Sequence, residues 1–243
     1  MQQNLIALVT GANKGIGLET ARQLGQRGVS VIVGARNADR GTQAVRGLRA
    51  EGIEATFVEL EVSDETSIAA AAQHIQDAHG HLDILVNNVG IWNIKDDGPP
   101  TSASPAVIRE TMETNFVAMV AVTQAMLPLL RRSSAARIVN LSSTLGSLDA
   151  NSDPSNPYYA SRLLAYNASK AAVNMFTVQL AQELKDTGIC VNAVSPGFVK
   201  TDLTGGQGLA GAADGARAPV KYALLEDGVV SGRFVDINGE IPW

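Results

Sequence analysis

Tyr166 and Lys170 stand four residues apart in Tyr166-Asn167-Ala168-Ser169-Lys170, a spacing that places two side chains on one face of a helix. A phenol of ordinary pKa, about 10, becomes a better acid when a cation lies beside it, because positive charge favours the phenolate. The pair is therefore a candidate acid–base unit for work near neutral pH. A tyrosine and a lysine at this spacing also occur on plain solvated helix faces, so other residues must decide. Tyr158 is a rival, with Arg162 four residues on. Arginine is no equivalent of lysine, because its planar fork places charge differently.

A second cluster could hold a phosphate. Thr10-Gly11-Ala12-Asn13-Lys14-Gly15-Ile16-Gly17 follows a short apolar run and opens a helical pattern. Glycines allow a sharp turn and a close approach to a pyrophosphate, and a helix N-terminus supplies N–H groups and positive dipole. The next strand tip reads Gly34-Ala35-Arg36-Asn37, with no acid. A carboxylate there would suit the ribose hydroxyl of NAD, whereas an arginine suits the 2′-phosphate of NADP. Arg36 and Lys14 are thus expected to converge on that phosphate, with Asp39 close enough to weaken the case slightly.

The elements that must carry these groups alternate. Strands are expected at 5–10, 29–33, 56–60, 83–86, 137–141 and 189–194, with a seventh at 234–237. Helices are expected at 16–27, 38–50, 64–79, 105–132 and 158–186. Alternation of this kind argues for an α/β fold of Rossmann type, a doubly wound parallel sheet of about seven strands with helices on both faces. The chain of 243 residues reads as a single domain over 1–243. Two segments stand apart: a polar, turn-rich stretch at 147–157, and 204–215, with five glycines in twelve residues, expected to be a mobile part of a substrate loop at about 198–220.

The net charge of −5, with no basic tract, disfavours nucleic acid and anionic membranes as partners. Cys190 is the only cysteine, which excludes an internal disulfide and a cysteine metal cluster. His74, His79 and His81 have no common metal spacing, so no metal is expected. Met1-Gln2-Gln3-Asn4 shows no leader pattern, and no apolar run reaches about 18 residues. A cytoplasmic protein is expected.

Further signals follow strand ends: Asn87-Asn88-Val89-Gly90, Asn140-Leu141-Ser142-Ser143 and Ser195-Pro196-Gly197. Ligands of open α/β sheets bind outside the carboxyl ends of the strands, so these motifs converge with Tyr166 and Lys170. With the glycine turn they resemble the short-chain dehydrogenase/reductase superfamily in its compact form, over nearly the whole chain. The resemblance implies that Tyr166 protonates the developing alkoxide. Lys170 would lower its pKa and bind the nicotinamide ribose, and Ser143 would donate to the substrate oxygen. Asn115, within Glu113-Thr114-Asn115-Phe116, would hold a relay water. Gly11, Asn13, Lys14, Gly15, Ile16, Gly17, Arg36, Glu61, Val62, Asn88, Val89, Gly90, Pro196, Gly197, Val199 and Thr201 would line an NADPH/NADP+ site with Tyr166 and Lys170. Val89 replaces the family's alanine, and Glu61 stands where an aspartate usually meets the adenine. Tyr166 precedes Pro196 by thirty residues, the family's spacing, which favours it over Tyr158.

The stretch at 147–157 resembles a shortened form of the insertion in monomeric carbonyl reductases and plant terpenoid or alkaloid ketone reductases. That favours a monomer, with homodimer and homotetramer as alternatives. Ile91, Trp92, Leu145 and Phe198, with Ser143, form an apolar substrate surface with no cation placed for a carboxylate. The implied activity is NADPH-dependent reduction of a hydrophobic ketone or aldehyde, or the reverse alcohol oxidation. The alternatives are a non-catalytic NADP-binding regulator and an epimerase or dehydratase on the same fold.

Overall fold

The computed structural model describes residues 5–93, 95–225 and 230–243; Met1-Gln2-Gln3-Asn4, read above for a leader, lies outside them. Seven strands form one sheet in the order β3-β2-β1-β4-β5-β6-β7, every neighbouring pair parallel. They are β1 Ile6–Thr10, β2 Ser30–Ala35, β3 Ala55–Glu59, β4 Ile84–Asn87, β5 Arg137–Leu141, β6 Cys190–Val194 and β7 Arg233–Val235. The helices are α1 Gly15–Gly25, α2 Ala38–Ala50, α3 Glu65–His79, α4 Pro105–Met112, α5 Ala118–Leu130, α6 Leu148–Ser152, α7 Leu164–Glu183 and α8 Ala212–Ala223.

Strands buried on both faces should be almost wholly apolar, and β1 is buried throughout. Successive side chains point to opposite faces. Leu8, Ile32, Leu85, Ile138 and Val191 therefore enter one core, with residues of α3, α5 and α7. Val9, Val31, Val33, Val86 and Val139 enter the other, with residues of α1, α2 and α8. The expected parallel sheet is present, and its strand order reverses beside β1, between β2 and β4. The carboxyl ends there flank the crevice that binds ligands in such sheets.

Three expectations change. The long helix at 105–132 is divided by a π turn, Glu113–Val117. By length and composition the whole run Pro105–Leu130 could cross a membrane, but 44% of its apolar window is buried. Val122, Met126, Leu129 and Leu130 belong to the core. The helix expected from 158 begins at Leu164, because the turns preceding it extend through the 147–157 segment, which itself contains α6. The glycine-rich stretch at 204–215 leads into α8 and is tied back to its own start: Leu209 N–H donates to the Phe198 carbonyl at 2.8 Å. Gly215 lies inside α8, and a Cβ there would come within 2.7 Å of the Val199 side chain. That glycine serves helix packing rather than loop mobility.

Candidate active site

The ends of β1 and β4 are joined by Thr10. Its Oγ1 accepts from Asn88 N–H at 2.9 Å, and Asn88 Nδ2 donates to the Thr10 carbonyl at 2.8 Å. Asn88 also closes on the glycine turn: a Cβ on Gly17 would lie 2.5 Å from Asn88 Nδ2 and 2.8 Å from the Gly11 carbonyl oxygen. Gly11 and Gly15 have positive φ of 65° and 59°, a region glycine enters freely. The turn thus brings bare backbone to the opening of α1, as a pyrophosphate cradle requires.

The cations beside it are paired with acids. Lys14 Nζ lies 2.6 Å from Asp202 Oδ2, and Arg36 Nη1 lies 3.7 Å from Glu61 Oε2. Lys14 holds the Asp202 carboxyl below its usual range, with Arg40 adding to the effect. Arg40 and Asp202 are site-flanking charges that the sequence reading missed. Glu61 also accepts from Ser63 Oγ at 2.9 Å. Val62 is buried behind it. Val89 packs within reach of Gly11 and Thr201 within reach of Gly15. Pro196 and Gly197 follow β6, where Gly197 N–H donates to Ser195 Oγ at 3.4 Å.

Tyr166 and Lys170 are both buried on α7. Tyr158 lies outside that helix, so helical spacing does not bring Arg162 to it; Arg162 lies instead over the Tyr159 ring, 5.9 Å from its centroid. The Ser143 side chain hydrogen-bonds Tyr166. Lys170 Nζ is 5.7 Å from the Tyr166 ring centroid and donates to the Leu141 carbonyl at 2.8 Å. Gly90 faces the same pocket, and a Cβ there would meet Asn115 Oδ1 at 3.4 Å and Lys170 Nζ at 3.6 Å.

The electrostatics differ from the sequence expectation. Burial pushes Tyr166 up to about 12, and the hydrogen bond with Ser143 only opposes that rise. Burial also pushes Lys170 down to about 8. Desolvation penalises the charged form of each group, and the ammonium is directed at Leu141 rather than at the phenol. Asn115 is also committed: its Oδ1 accepts from Ile91 N–H at 2.7 Å. Its Nδ2 donates to the Ile91 carbonyl and to Ser169 Oγ, both at 3.0 Å. These bonds fix the loop after β4.

Among the expected substrate-facing residues, Trp92 stacks on Tyr166 with ring centroids 5.4 Å apart. Its buried Nε1–H has no hydrogen-bond partner among the described residues. Leu145 N–H donates to Ser143 Oγ at 3.2 Å, which keeps Leu145 beside the serine. Phe198 follows β6, and its carbonyl accepts from Leu209 N–H at 2.8 Å. Sequence reasoning missed Asp97, whose carboxylate binds the start of α7. No histidine, cysteine, aspartate or glutamate cluster among the described residues could hold a metal.

An open parallel sheet with a glycine cradle at its first turn and a tyrosine–lysine pair across the crevice defines a dinucleotide-dependent α/β protein. The chain belongs to the short chain dehydrogenase family, whose model matches residues 5–209. A (+)-neomenthol dehydrogenase of Arabidopsis thaliana is 35% identical, covering 90% of this chain and 91% of that one. A mouse NADPH carbonyl reductase is 34% identical over the same shares of the two chains. The NADPH-bound carbonyl reductase from chicken fatty liver superposes with a TM-score of 0.85 at 29% identity, covering 100% of both chains.

Proposed function

We propose that the protein is an NADPH-dependent reductase of hydrophobic ketones or aldehydes, with Tyr166 as proton donor. The observation that carries this reading is Tyr166 itself, buried, hydrogen-bonded to Ser143 and on the same helix as Lys170, across the crevice from the glycine cradle. The relatives named as NADPH carbonyl reductase and neomenthol dehydrogenase support the same class.

The cradle fits the dinucleotide, because Gly11 and Gly15 turn the backbone at positive φ and Gly17 lets Asn88 and the Gly11 carbonyl close against the start of α1, leaving bare backbone N–H groups at a helix N-terminus. Gly11, Asn13, Gly15, Ile16 and Gly17 would hold its pyrophosphate, Lys14 and Arg36 the 2′-phosphate, and Glu61 and Val62 the adenine end. Asn88, Val89, Gly90, Pro196, Gly197, Val199 and Thr201 would line its nicotinamide half. When bound, NADPH supplies the hydride. Ser143 Oγ positions the carbonyl oxygen, a fixed donor where negative charge develops. Tyr166, protonated throughout the physiological range at a pKa of about 12, gives its proton to that oxygen. Lys170, protonated below about pH 8, adds positive charge and a donor for the ribose. Trp92, Leu145 and Phe198 supply apolar contact for the substrate.

The test is Tyr166→Phe against a panel of ketones and aldehydes, followed by NADPH consumption. The variant should lose turnover and bind NADPH normally; undiminished turnover refutes the donor role. We further infer a cytoplasmic monomer, supported by the acidic surface charge and by α6 and its flanking turns beside α7. Asn167 Nδ2 donates to Asn151 Oδ1 at 3.0 Å and to the Ser161 carbonyl at 2.9 Å, tying that segment to the helix. A stable tetramer at micromolar concentration in sedimentation would overturn the monomer.

A further inference from the structure

The helix that carries Tyr166 opens without a cap of its own. α2, α3 and α4 begin at Asn37, Asp64 and Ser104, whose side chains each accept from a first-turn N–H. α7 has Leu163 at that position, which has no side-chain acceptor. The first N–H groups of a helix lack intrahelical partners and cost stability if buried unpaired. Here they are met by a loop far upstream. One oxygen of Asp97 accepts from Ala165 N–H at 2.9 Å, and the other accepts from Tyr166 N–H at 2.9 Å. The neighbouring Gly98 carbonyl accepts from Leu164 N–H at 2.9 Å. From Asn167 onward the donors are satisfied inside the helix, beginning with its bond to the Leu163 carbonyl at 2.9 Å.

The same loop holds Tyr166 at a second point, since Trp92 stacks on its ring. The loop is in turn anchored where it leaves β4, by the paired hydrogen bonds between Asn115 and the Ile91 backbone. The residue read as proton donor is therefore gripped at its backbone nitrogen and at its ring by one short segment. Two acceptors aimed at two adjacent N–H groups require a carboxylate. Asparagine would keep one and turn an NH2 donor toward the other. The negative charge also suits the positive end of the helix dipole.

We infer that Asp97 is a positioning residue for Tyr166: by capping α7 across the crevice it fixes where the phenol meets the substrate oxygen. This rests on the reading of Tyr166 as proton donor. Small displacements of a reacting group cost large factors in rate, so the cap should act on kcat rather than on cofactor affinity.

The experiment compares Asp97→Ala, Asp97→Asn and Asp96→Ala with the unaltered protein, on a carbonyl compound that the latter reduces. Asp97→Ala should lower kcat by about tenfold, with NADPH affinity from fluorescence titration unchanged. It should also raise the solvent deuterium isotope effect on kcat, because a misplaced phenol slows proton transfer. Asp97→Asn, which keeps one acceptor and turns a donor toward the other N–H, should show a smaller but measurable loss of kcat with a raised isotope effect. Asp96→Ala, at an exposed neighbour, should match the unaltered protein. A lower melting temperature for Asp97→Ala with unchanged kcat and isotope effect would show a purely structural cap and overturn the inference. If the alanine variant does not fold, asparagine decides: a measurable loss of kcat with a raised isotope effect supports the inference, and unaltered values overturn it. Tyr166→Phe, assayed in parallel, separates the two readings. Turnover retained there refutes the donor role; turnover lost there, with Asp97 variants unaffected, refutes only the positioning.

Discussion

Replacing Lys170 by methionine should change how stability depends on pH, by an amount that the burial of the lysine sets. Lys170 is 5% exposed, and burial lowers its pKa from 10.5 to about 8. Below pH 8 both the folded and the unfolded chain hold the proton, and the folded protein bears the full desolvation cost, about 3 kcal/mol. Between 8 and 10.5 the unfolded chain still holds the proton and the folded chain has released it. The unfolded state then binds more protons, so stability rises with pH. From pH 7 to 9.5 this amounts to about 2 kcal/mol in favour of the lysine protein. Other groups titrate over that range, but they are shared with Lys170→Met. Constant terms, such as the lost bond to the Leu141 carbonyl and the fit of the thioether, also drop out of the pH difference. Urea denaturation of the cofactor-free proteins at pH 7 and 9.5 measures it. Parallel stability curves for the two proteins would refute the claim that Lys170 is strongly desolvated.

Arg36→Ala should weaken NADPH binding at least tenfold more than NADH binding, since only the former has the 2′-phosphate; isothermal titration reads both, and equal losses contradict the assignment. Gly17→Ala should abolish binding of either cofactor, because the added methyl group would lie 2.5 Å from Asn88 Nδ2; retained affinity would show that Asn88 yields easily. Carbonyl reduction should keep Tyr166 loaded with its proton as pH rises to 9, whereas alcohol oxidation needs the phenolate and should accelerate over the same range. Two pH profiles that fall together would show that another group governs the proton step. Trp92→Ala should raise KM for bulky apolar ketones more than for acetone-sized ones, measured across a homologous series.

What was legible in the sequence was local. Short apolar runs such as the one that holds Leu8 and Val9, buried on both faces of the sheet, and glycines at Gly11, Gly15 and Gly17, announced the sheet and its first turn, because each depends on near neighbours in the chain. The long helix could be seen, but its π turn at Glu113–Val117 could not, since no residue there is a helix breaker. Glycines also misled where they served packing: Gly215 reads as loop in the sequence and lies in α8. The site was legible as a set of motifs and much less so as electrostatics. Tyr166 and Lys170 share a helix face, yet each is shifted chiefly by its own burial, which depends on the whole fold. Asp97 was beyond local reading because its partners lie 68 and 69 residues away. The sequence reading begins this helix at 158, so Leu163, which has no capping side chain, falls inside it and the missing cap is hidden.

That missing cap connects the fold to the proposed reaction. A phenol that must donate a proton at neutral pH has to be protonated there and placed accurately; lowering its pKa is only one way to improve it. In this protein, burial keeps the phenol protonated, a hydrogen bond with Ser143 partly offsets that effect, and the loop between β4 and α4 holds its backbone and ring. On the proposed function, the acidity missing in the resting protein would be supplied as the reaction proceeds, when negative charge develops on the substrate oxygen. The barrier would then be lowered by donors already in place rather than by a phenolate stabilised in advance, which is the distinction between binding a transition state and binding a ground state. On that reading, a substitution that merely lowers the pKa of Tyr166 without improving its placement should leave the reductive kcat unimproved. Fluorotyrosine at position 166 provides that test, and a kcat that rises in step with phenol acidity would show that acidity limits the reaction instead.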